Sequence, residues 1–278
     1  MTYKVAFVTG ASSGIGEVTA KKLLQQGYIV YAAARRIERM EPMSRLGIHI
    51  LSLDVTDETS RHAAITHIMT QSGRLDILVN NAGYGAYGAL EDIPLEEARA
   101  QFDVNVFGAM RLIQLSLPHM RRQKSGTIIN VSSIGGKIYT PLGGWYHGSK
   151  FALEALSDCL RLEVAPFGIH VVIIEPGGIK TEWADIAAAK LLKTSGHGPY
   201  AAQAHAMAQT ITGTLSRRYQ SAPELIANTI VKAVTTDQPK TRYVAGLGAK
   251  PLLLLRHLLS DRLFDRLIRL TAKKSRRL

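Results

Sequence analysis

Val5-Ala6-Phe7-Val8-Thr9-Gly10-Ala11-Ser12-Ser13-Gly14-Ile15-Gly16 passes from a short apolar run, through a glycine-spaced turn, into a segment with helical periodicity. The run has the length of a buried strand, and glycines at positions 10, 14 and 16 let the backbone turn tightly and come close to a bound group. A helix that starts directly after such a turn points its unpaired N–H groups and the positive end of its dipole at an anion. The stretch therefore reads as a pyrophosphate-binding turn at the end of a first strand. Its spacing is GxxxGxG and not the GxGxxG of the usual dinucleotide fingerprint. Taken alone it also fits a plain strand-to-helix turn, so the surrounding pattern decides.

That pattern is regular. Apolar, β-branched runs recur at 29–33, 48–53, 77–79, 127–131, 169–174 and, more weakly, 242–245. Between them, 15–26, 60–71, 95–120 and 151–165 carry apolar residues at three-to-four spacing, as crossover helices do. The expected fold is α/β: a doubly wound, Rossmann-type, mostly parallel seven-stranded sheet with helices on both faces. No long linker, repeat or low-complexity tract divides the chain. One catalytic domain is expected over 1–249, with an Ala-rich, strand-free stretch at 182–218 forming a helical lid. Ser221-Ala222-Pro223-Glu224 reads as the capped start of a further helix. Residues 250–278 read as a basic amphipathic C-terminal helical extension.

The chain has 278 residues, 46% of them hydrophobic, which suits one large core. Its single cysteine, Cys159, excludes an intrachain disulfide framework and a cysteine-rich metal site, and no metal is expected. A cytoplasmic location is expected, since the start of the sequence lacks a signal-peptide pattern and no stretch reaches the ~18 consecutive apolar residues of a spanning helix. Of the net charge of +12, +7 falls in residues 250–278. The excess belongs to one segment, and that segment is leucine-rich with a single aromatic, Phe264, so nucleic acid is not an expected partner.

Further motifs follow in order: Asn80-Asn81-Ala82-Gly83 after the fourth strand, Asn105 within Asp103-Val104-Asn105-Val106, and Ser132-Ser133 after the fifth. Tyr146 and Lys150 then stand in YxxxK spacing, and Pro176-Gly177-Gly178-Ile179-Lys180-Thr181 ends the sixth strand. With the glycine turn, this series resembles the short-chain dehydrogenase/reductase family over about residues 4–245. The pocket-forming segments are most similar in character to members that act on steroids, retinoids or acyl-lipid ketones.

The resemblance implies an oxidoreductase that moves a hydride between a nicotinamide and a carbonyl or secondary alcohol. Four residues apart at the start of a helix, Tyr146 and Lys150 share a face. A neighbouring ammonium and the positive ring of the oxidised cofactor favour phenolate, so Tyr146 is expected to give or take the proton. By the family's pattern Ser133 donates to the substrate oxygen, Lys150 also holds the nicotinamide ribose, and Asn105 supports a water-linked proton path. His147 invites a catalytic reading, but it points about 100° away from Tyr146 and is expected at the surface or pocket rim. Gly148 replaces the usual alanine before the Ser-Lys pair and is expected to cost helix stability only.

For the cofactor, Gly10, Ser12, Ser13, Gly14, Ile15 and Gly16 are expected at the pyrophosphate. The position that carries an acid in NAD-binding chains is Ala34, followed by Arg35 and Arg36, so NADP(H) is expected. By resemblance, Asp54 and Val55 meet the adenine, Asn81, Ala82 and Gly83 form the floor beneath a ribose, and Pro176, Gly177, Ile179 and Thr181 contact the carboxamide.

Residues 83–90, 134–145 and the lid are rich in Tyr, Ile, Leu, Ala and Trp, which favours a bulky apolar carbonyl or alcohol. The leucines of 250–278, interleaved with arginines, fit either a helix docked on the core or peripheral contact with a membrane surface. The resemblance further implies a homodimer or homotetramer packed through the helices beginning near Leu95 and Tyr146. The rival functional reading is a non-catalytic NADP-binding sensor or scaffold, against which intact Ser133, Tyr146 and Lys150 argue.

Overall fold

The computed structural model describes residues 3–214, 218 and 220–274, so 215–217 of the expected lid and the last four residues of the basic segment lie outside the described residues. Strands β1 (Val5–Thr9), β2 (Ile29–Ala34), β3 (His49–Ser52), β4 (Ile77–Asn80), β5 (Gly126–Val131), β6 (Ile169–Pro176) and β7 (Arg242–Ala245) form one sheet in the order 3-2-1-4-5-6-7. Every pairing is parallel. The helices in chain order are α1 (Gly14–Gln25), α2 (Glu41–Ser44), α3 (Glu58–Ser72), α4 (Leu95–Phe102), α5 (Ala109–Gln123), α6 (Gly144–Val164), α7 (Glu182–Ser195), α8 (Ala201–Thr212), α9 (Pro223–Thr235), α10 (Ala249–Leu258) and α11 (Asp261–Lys274).

The strands are apolar on both sides because both sides are covered. Ala6, Val8, Val30, Ala32, Val79, Ile129 and Val172 meet Leu23 of α1 and Ile226 and Ile230 of α9. Their alternate neighbours Val5, Phe7, Tyr31, Leu78, Ile128 and Val171 meet Ile65 and Ile68 of α3, Leu112 and Ile113 of α5, and Leu160 of α6. Ile230 is fully buried, and its truncation to alanine is expected to cost about 2–5 kcal/mol. The strand order reverses between β1 and β4, which puts the carboxyl ends of both at the crevice where this fold binds ligands.

Three local features differ from the sequence expectation. The helix expected over 95–120 runs unbroken from Leu95 to Gln123 but widens into a π-helical turn at Asp103–Gly108. The wider turn carries buried Asn105, and it presses Gly108 so close to β3's exit that an added Cβ would sit 2.5 Å from the Val55 carbonyl oxygen. Ser221 does not cap α9: the N-cap is Ala222, and the Ser221 hydroxyl accepts instead from the Leu247 amide at 3.2 Å. The C-terminal extension is two helices and not one. Leu259 adopts an extended backbone, and Arg256 of α10 pairs with Asp261 of α11 at 2.8 Å across the corner.

Candidate active site

The glycine turn is held by its own chain neighbours. Gly10 and Gly14 have φ of 64° and 58°, and a Cβ on Gly10 would lie 2.8 Å from the Ala82 Cα. On Gly16, a Cβ would lie 2.4 Å from the Gly10 carbonyl oxygen. Asn81 fixes the turn from beneath, its Nδ2 donating to the carbonyls of Thr9 at 3.0 Å and Gly10 at 3.1 Å. The Thr9 hydroxyl accepts from the amides of Asn81 and Ala82, each at 3.1 Å. Ser13 stands at the N-cap of α1 without a side-chain capping bond, so the amides of this first turn face the crevice uncapped. A bare glycine-lined cradle ending in an uncapped helix start fits a pyrophosphate.

On the adenosine side, Ala34 closes β2 without a carboxylate, and Arg36 reaches back to the Ser12 hydroxyl at 3.4 Å. Arg35 lies near enough to Asp54 to help hold its carboxyl down. Burial pushes that carboxyl up, but bonds from the Thr56 amide and hydroxyl and the charges of Arg35 and Arg61 leave it below the usual range. Both Thr56 bonds fall on Oδ1, at 2.9 and 2.7 Å, which leaves Oδ2 for an adenine amino group. A 2′-phosphate beside Ser12 would meet the Arg36 guanidinium and no acid at position 34.

The catalytic candidates converge. Lys150 is buried, and its ammonium donates to the Val131 carbonyl at 2.9 Å, with further N–H bonds in hand for a ribose. A Cβ at Gly83 would lie 3.1 Å from the Asn105 Oδ1 and 3.7 Å from the Lys150 Nζ, so these three residues surround one small space. The Asn105 side chain is engaged at both ends: Nδ2 donates to the Tyr84 carbonyl and to the Ser149 hydroxyl, each at 3.0 Å, and Oδ1 accepts from the Tyr84 amide at 3.1 Å. It thus joins the loop after β4 to α6.

Tyr146 is also buried. Burial pushes its phenol up to about 12, against a smaller opposing effect of a hydrogen bond from Ser133. The expectation of a tyrosine tuned toward phenolate is therefore not met by the protein's own groups, because loss of solvation outweighs them. Lys150 is pushed the other way, down to about 8, by burial, with the Glu154 carboxylate opposing. Ser133 further accepts from the Gly135 amide at 3.0 Å, which orients the hydroxyl.

His147 is not at the surface or rim. It is buried, with Nδ1 at 2.9 Å from the Gly135 carbonyl and Nε2 accepting from the Thr140 amide at 3.1 Å. That assigns the proton to Nδ1 and makes the ring a neutral brace for the 134–140 segment, consistent with a pKa lowered by burial.

In the turn after β6 expected to meet the nicotinamide, the Gly177 amide donates to the Ala245 carbonyl at 2.8 Å, and Ile179 bridges to Ser221. Thr181 caps α7 and places its Cγ2 3.0 Å from where a Gly14 Cβ would lie, so the end of β6 closes over the phosphate turn. Helices α7 and α8, within the expected lid, then fold onto Tyr146. Trp183 and Tyr87 have ring centroids 5.1 and 5.6 Å from that of Tyr146, among Leu142, Ala187, Ala188, Leu191 and Met207. Lys190, the charge the lid could have supplied here, is spent on Glu97 at 2.7 Å and on the Tyr84 ring.

A buried ionic cluster behind the site has no counterpart in the sequence reading. Glu154, one turn after Lys150, and Glu175, just before Pro176, meet Arg242 of β7 at 3.1 and 3.3 Å, and Lys137 lies 3.2 Å from Glu154. Only the lateral pairing of β6 with β7 brings these charges together.

A doubly wound sheet with an uncapped glycine cradle at its switch point, and a Ser-Tyr-Lys group beside it, defines a dinucleotide-dependent oxidoreductase. The chain belongs to the short-chain dehydrogenase/reductase family, whose model, described as short chain dehydrogenase, matches residues 4–191. It is 42% identical over 66% of its length to the 3-ketodihydrosphingosine reductase of Bacteroides thetaiotaomicron, 67% of which is covered. It is 33% identical to the NADPH-dependent 3-dehydrocapnine reductase of Ornithobacterium rhinotracheale, with 98% of each chain covered. The crystal structure of a short-chain dehydrogenase from Streptomyces avermitilis superposes with a TM-score of 0.81 at 33% identity, over 96% of this chain and 95% of that one.

Proposed function

We propose that this protein is an NADPH-dependent reductase of a ketone on an apolar, lipid-like substrate, acting also in reverse on the secondary alcohol. The observation that carries this reading is the setting of Tyr146, a neutral phenol bonded to Ser133 and walled by Tyr87, Trp183 and the apolar lid. NADPH, when bound, supplies the hydride to the carbonyl carbon. The Ser133 hydroxyl donates to the carbonyl oxygen, and Tyr146, still protonated at neutral pH, delivers its proton to the oxygen as charge develops there. In this reading the Lys150 ammonium, one turn along the same helix, stabilises the vacated phenolate and passes it a proton that solvent then replaces, while Asn105 holds Tyr84 and Ser149 in place.

Preference for NADPH over NADH is supported by Ala34, Arg35 and Arg36 and by the cofactor named for the capnine relative. A keto substrate of the sphingoid kind is supported by the name of the Bacteroides relative and by the apolar cluster around Tyr146. The same reading has a cytoplasmic homodimer or homotetramer, supported by exposed Leu95, Phe107, Phe151 and Leu162 on and between α4, α5 and α6, and peripheral contact of the C-terminal helices with a membrane.

The test is NADPH oxidation against a panel of 3-keto sphingoid bases, steroids, retinoids and small ketones, with NADH and Tyr146→Phe alongside. Turnover of a long-chain ketone that vanishes in Tyr146→Phe is expected. Tight NADPH binding with no turnover of any panel member would overturn the reading in favour of a binding protein.

A further inference from the structure

Helices α10 and α11 have two different sides. One side packs on the wall of the active site: Leu252, Leu253, Leu259, Phe264, Leu267 and Ile268 gather against Ile134, Ile138 and Tyr139, the segment between Ser133 and Tyr146. Helix α11 also packs against lid helix α8. The other side is apolar and open. Leu247, Leu254 and Leu258 are 63%, 58% and 68% exposed, and Leu255, Leu263 and Leu270 are exposed as well. Positions 251, 254, 255 and 258 share one face of α10, and 263 and 270 share a stripe of α11.

Charge sorts in the same direction. The two acids of these helices are turned to internal partners, Asp261 to Arg256 at 2.8 Å and Asp265 to the Tyr139 hydroxyl at 3.1 Å. Lys250, Arg262, Arg266 and Arg269 are exposed and have no carboxylate partner among the described residues. What faces outward is leucine bordered by unpaired cations.

We propose that this face is a docking surface for an anionic lipid bilayer, with the leucines of α10 in the acyl boundary and the arginines of α11 among the headgroups. A second copy of the chain is the poorer occupant, because a twofold contact would set Lys250, Arg262, Arg266 and Arg269 against their own copies with no acid to answer them. Anionic headgroups supply the missing charge. Spanning is excluded for these helices: at ~1.5 Å per residue neither covers the ~30 Å hydrocarbon layer, and no helix among the described residues is long and apolar enough to cross a membrane. Since the opposite side of the same helices forms the outer wall of the 134–140 segment and touches the lid, docking sets the pocket against the bilayer. The use of that orientation rests on the lipid-ketone reading above, whereas the surface itself does not.

The experiment is co-sedimentation of the full chain with phosphatidylcholine vesicles, with and without phosphatidylglycerol, at low and high salt. Wild type is expected to sediment with the anionic vesicles and to be released by salt. The double variant Leu254→Gln/Leu258→Gln is expected to lose at least about tenfold in partitioning, and Arg262→Glu/Arg266→Glu likewise, with melting temperature and turnover of a small water-soluble ketone unchanged. Absence of wild-type binding to anionic vesicles, binding that survives both double variants, or a vesicle-independent dimer abolished by the leucine variant would each overturn the proposal. Vesicle binding by a protein that reduces no lipid ketone would retain the surface and remove the substrate reading.

Discussion

Arg39, just beyond β2, grips Glu182 in a two-pronged pair, Nη1 to Oε2 at 3.0 Å and Nη2 to Oε1 at 2.7 Å. Glu182 is the first residue of α7, so the pair ties the segment after β2 to the first helix of the expected lid. The hydrogen bonds and charge of Arg39 hold the Glu182 carboxyl below its usual range, and Arg36 adds to the effect. Arg39→Gln removes both the tie and one cation beside the expected 2′-phosphate, and these losses act in the same direction. The dissociation constant for NADPH is expected to rise about two- to fivefold, the modest effect of an exposed pair, and the difference from wild type should shrink as salt is added. Stopped-flow measurement of NADPH release at two ionic strengths checks it.

Tyr146 and Lys150 are displaced in opposite directions on the pH scale, up to about 12 and down to about 8, each chiefly by burial. Tyr146 therefore keeps its proton throughout the usable range, and Lys150 is the group that titrates. Its depressed pKa means that the ammonium is present below about 8 and is lost as pH rises past it. For carbonyl reduction, kcat/KM is expected to fall along a limb near pH 8, while Tyr146→Phe lowers kcat by about 10²–10⁴ and leaves NADPH binding intact. A reduction rate that is flat from pH 6 to roughly 10 would show that Lys150 does not supply the proton.

Arg36 touches Ser12 at 3.4 Å, and no acid stands at position 34, so discrimination between the two nicotinamide cofactors falls to the arginines after β2. A charge-assisted bond of this kind contributes about 1.5–3 kcal/mol, or roughly 10- to 100-fold. Arg36→Ala is expected to lower kcat/KM for NADPH by that factor and to leave the value for NADH nearly unchanged. Equal losses with both cofactors would place Arg36 in the phosphate turn's architecture instead.

Gly148 lies inside α6, and a Cβ there would meet only the Phe102 ring, at an ordinary contact of 3.8 Å. The space for alanine is present, so the helix carries the entropic cost of glycine without a steric reason. Gly148→Ala is expected to stabilise the protein by about 0.5–1 kcal/mol and to raise the melting temperature by about 2 °C, with turnover unaffected.

What sequence reading reached, and what it did not, follows from the range of the interactions involved. The β1 turn, the strand runs and the spacing of Ser133, Tyr146 and Lys150 are local or ordered patterns, and the sheet order and the convergence of these side chains follow from them. The π turn at Asp103–Gly108 depends on Asn105 being drawn to Tyr84 and Ser149, 21 and 44 residues away. The same is true of His147: adjacency to Tyr146 on a helix implies divergence, but not that the 134–140 segment wraps over the ring and buries it. The break after Leu258 is set by Arg256 and Asp261 and by the leucines choosing Ile138 and Tyr139 as partners, which no periodicity within the segment specifies.

The pairing of β6 with β7 leaves Glu175 buried beside Glu154, with Arg242 between them and the Asp158 carboxylate also drawn to that guanidinium. Burial pushes the Glu175 carboxyl up to about 7, and the Glu154 charge pushes in the same direction, with Arg242 and Lys137 opposing. Between its ordinary value of 4.5 and about 7 the folded protein thus holds a proton that the unfolded chain has released. The stability this group contributes is complete below that window and is lost as pH rises through it. Glu175→Gln supplies a neutral isostere, and Arg242 retains Glu154 and Asp158 as partners, so the variant is expected to fold. Its melting temperature should decline less than that of wild type between pH 5 and roughly 7.5, and should exceed wild type at the upper end. Parallel melting curves for the two proteins across that interval would mean that the carboxyl stays ionised in the fold and that Arg242 outweighs burial.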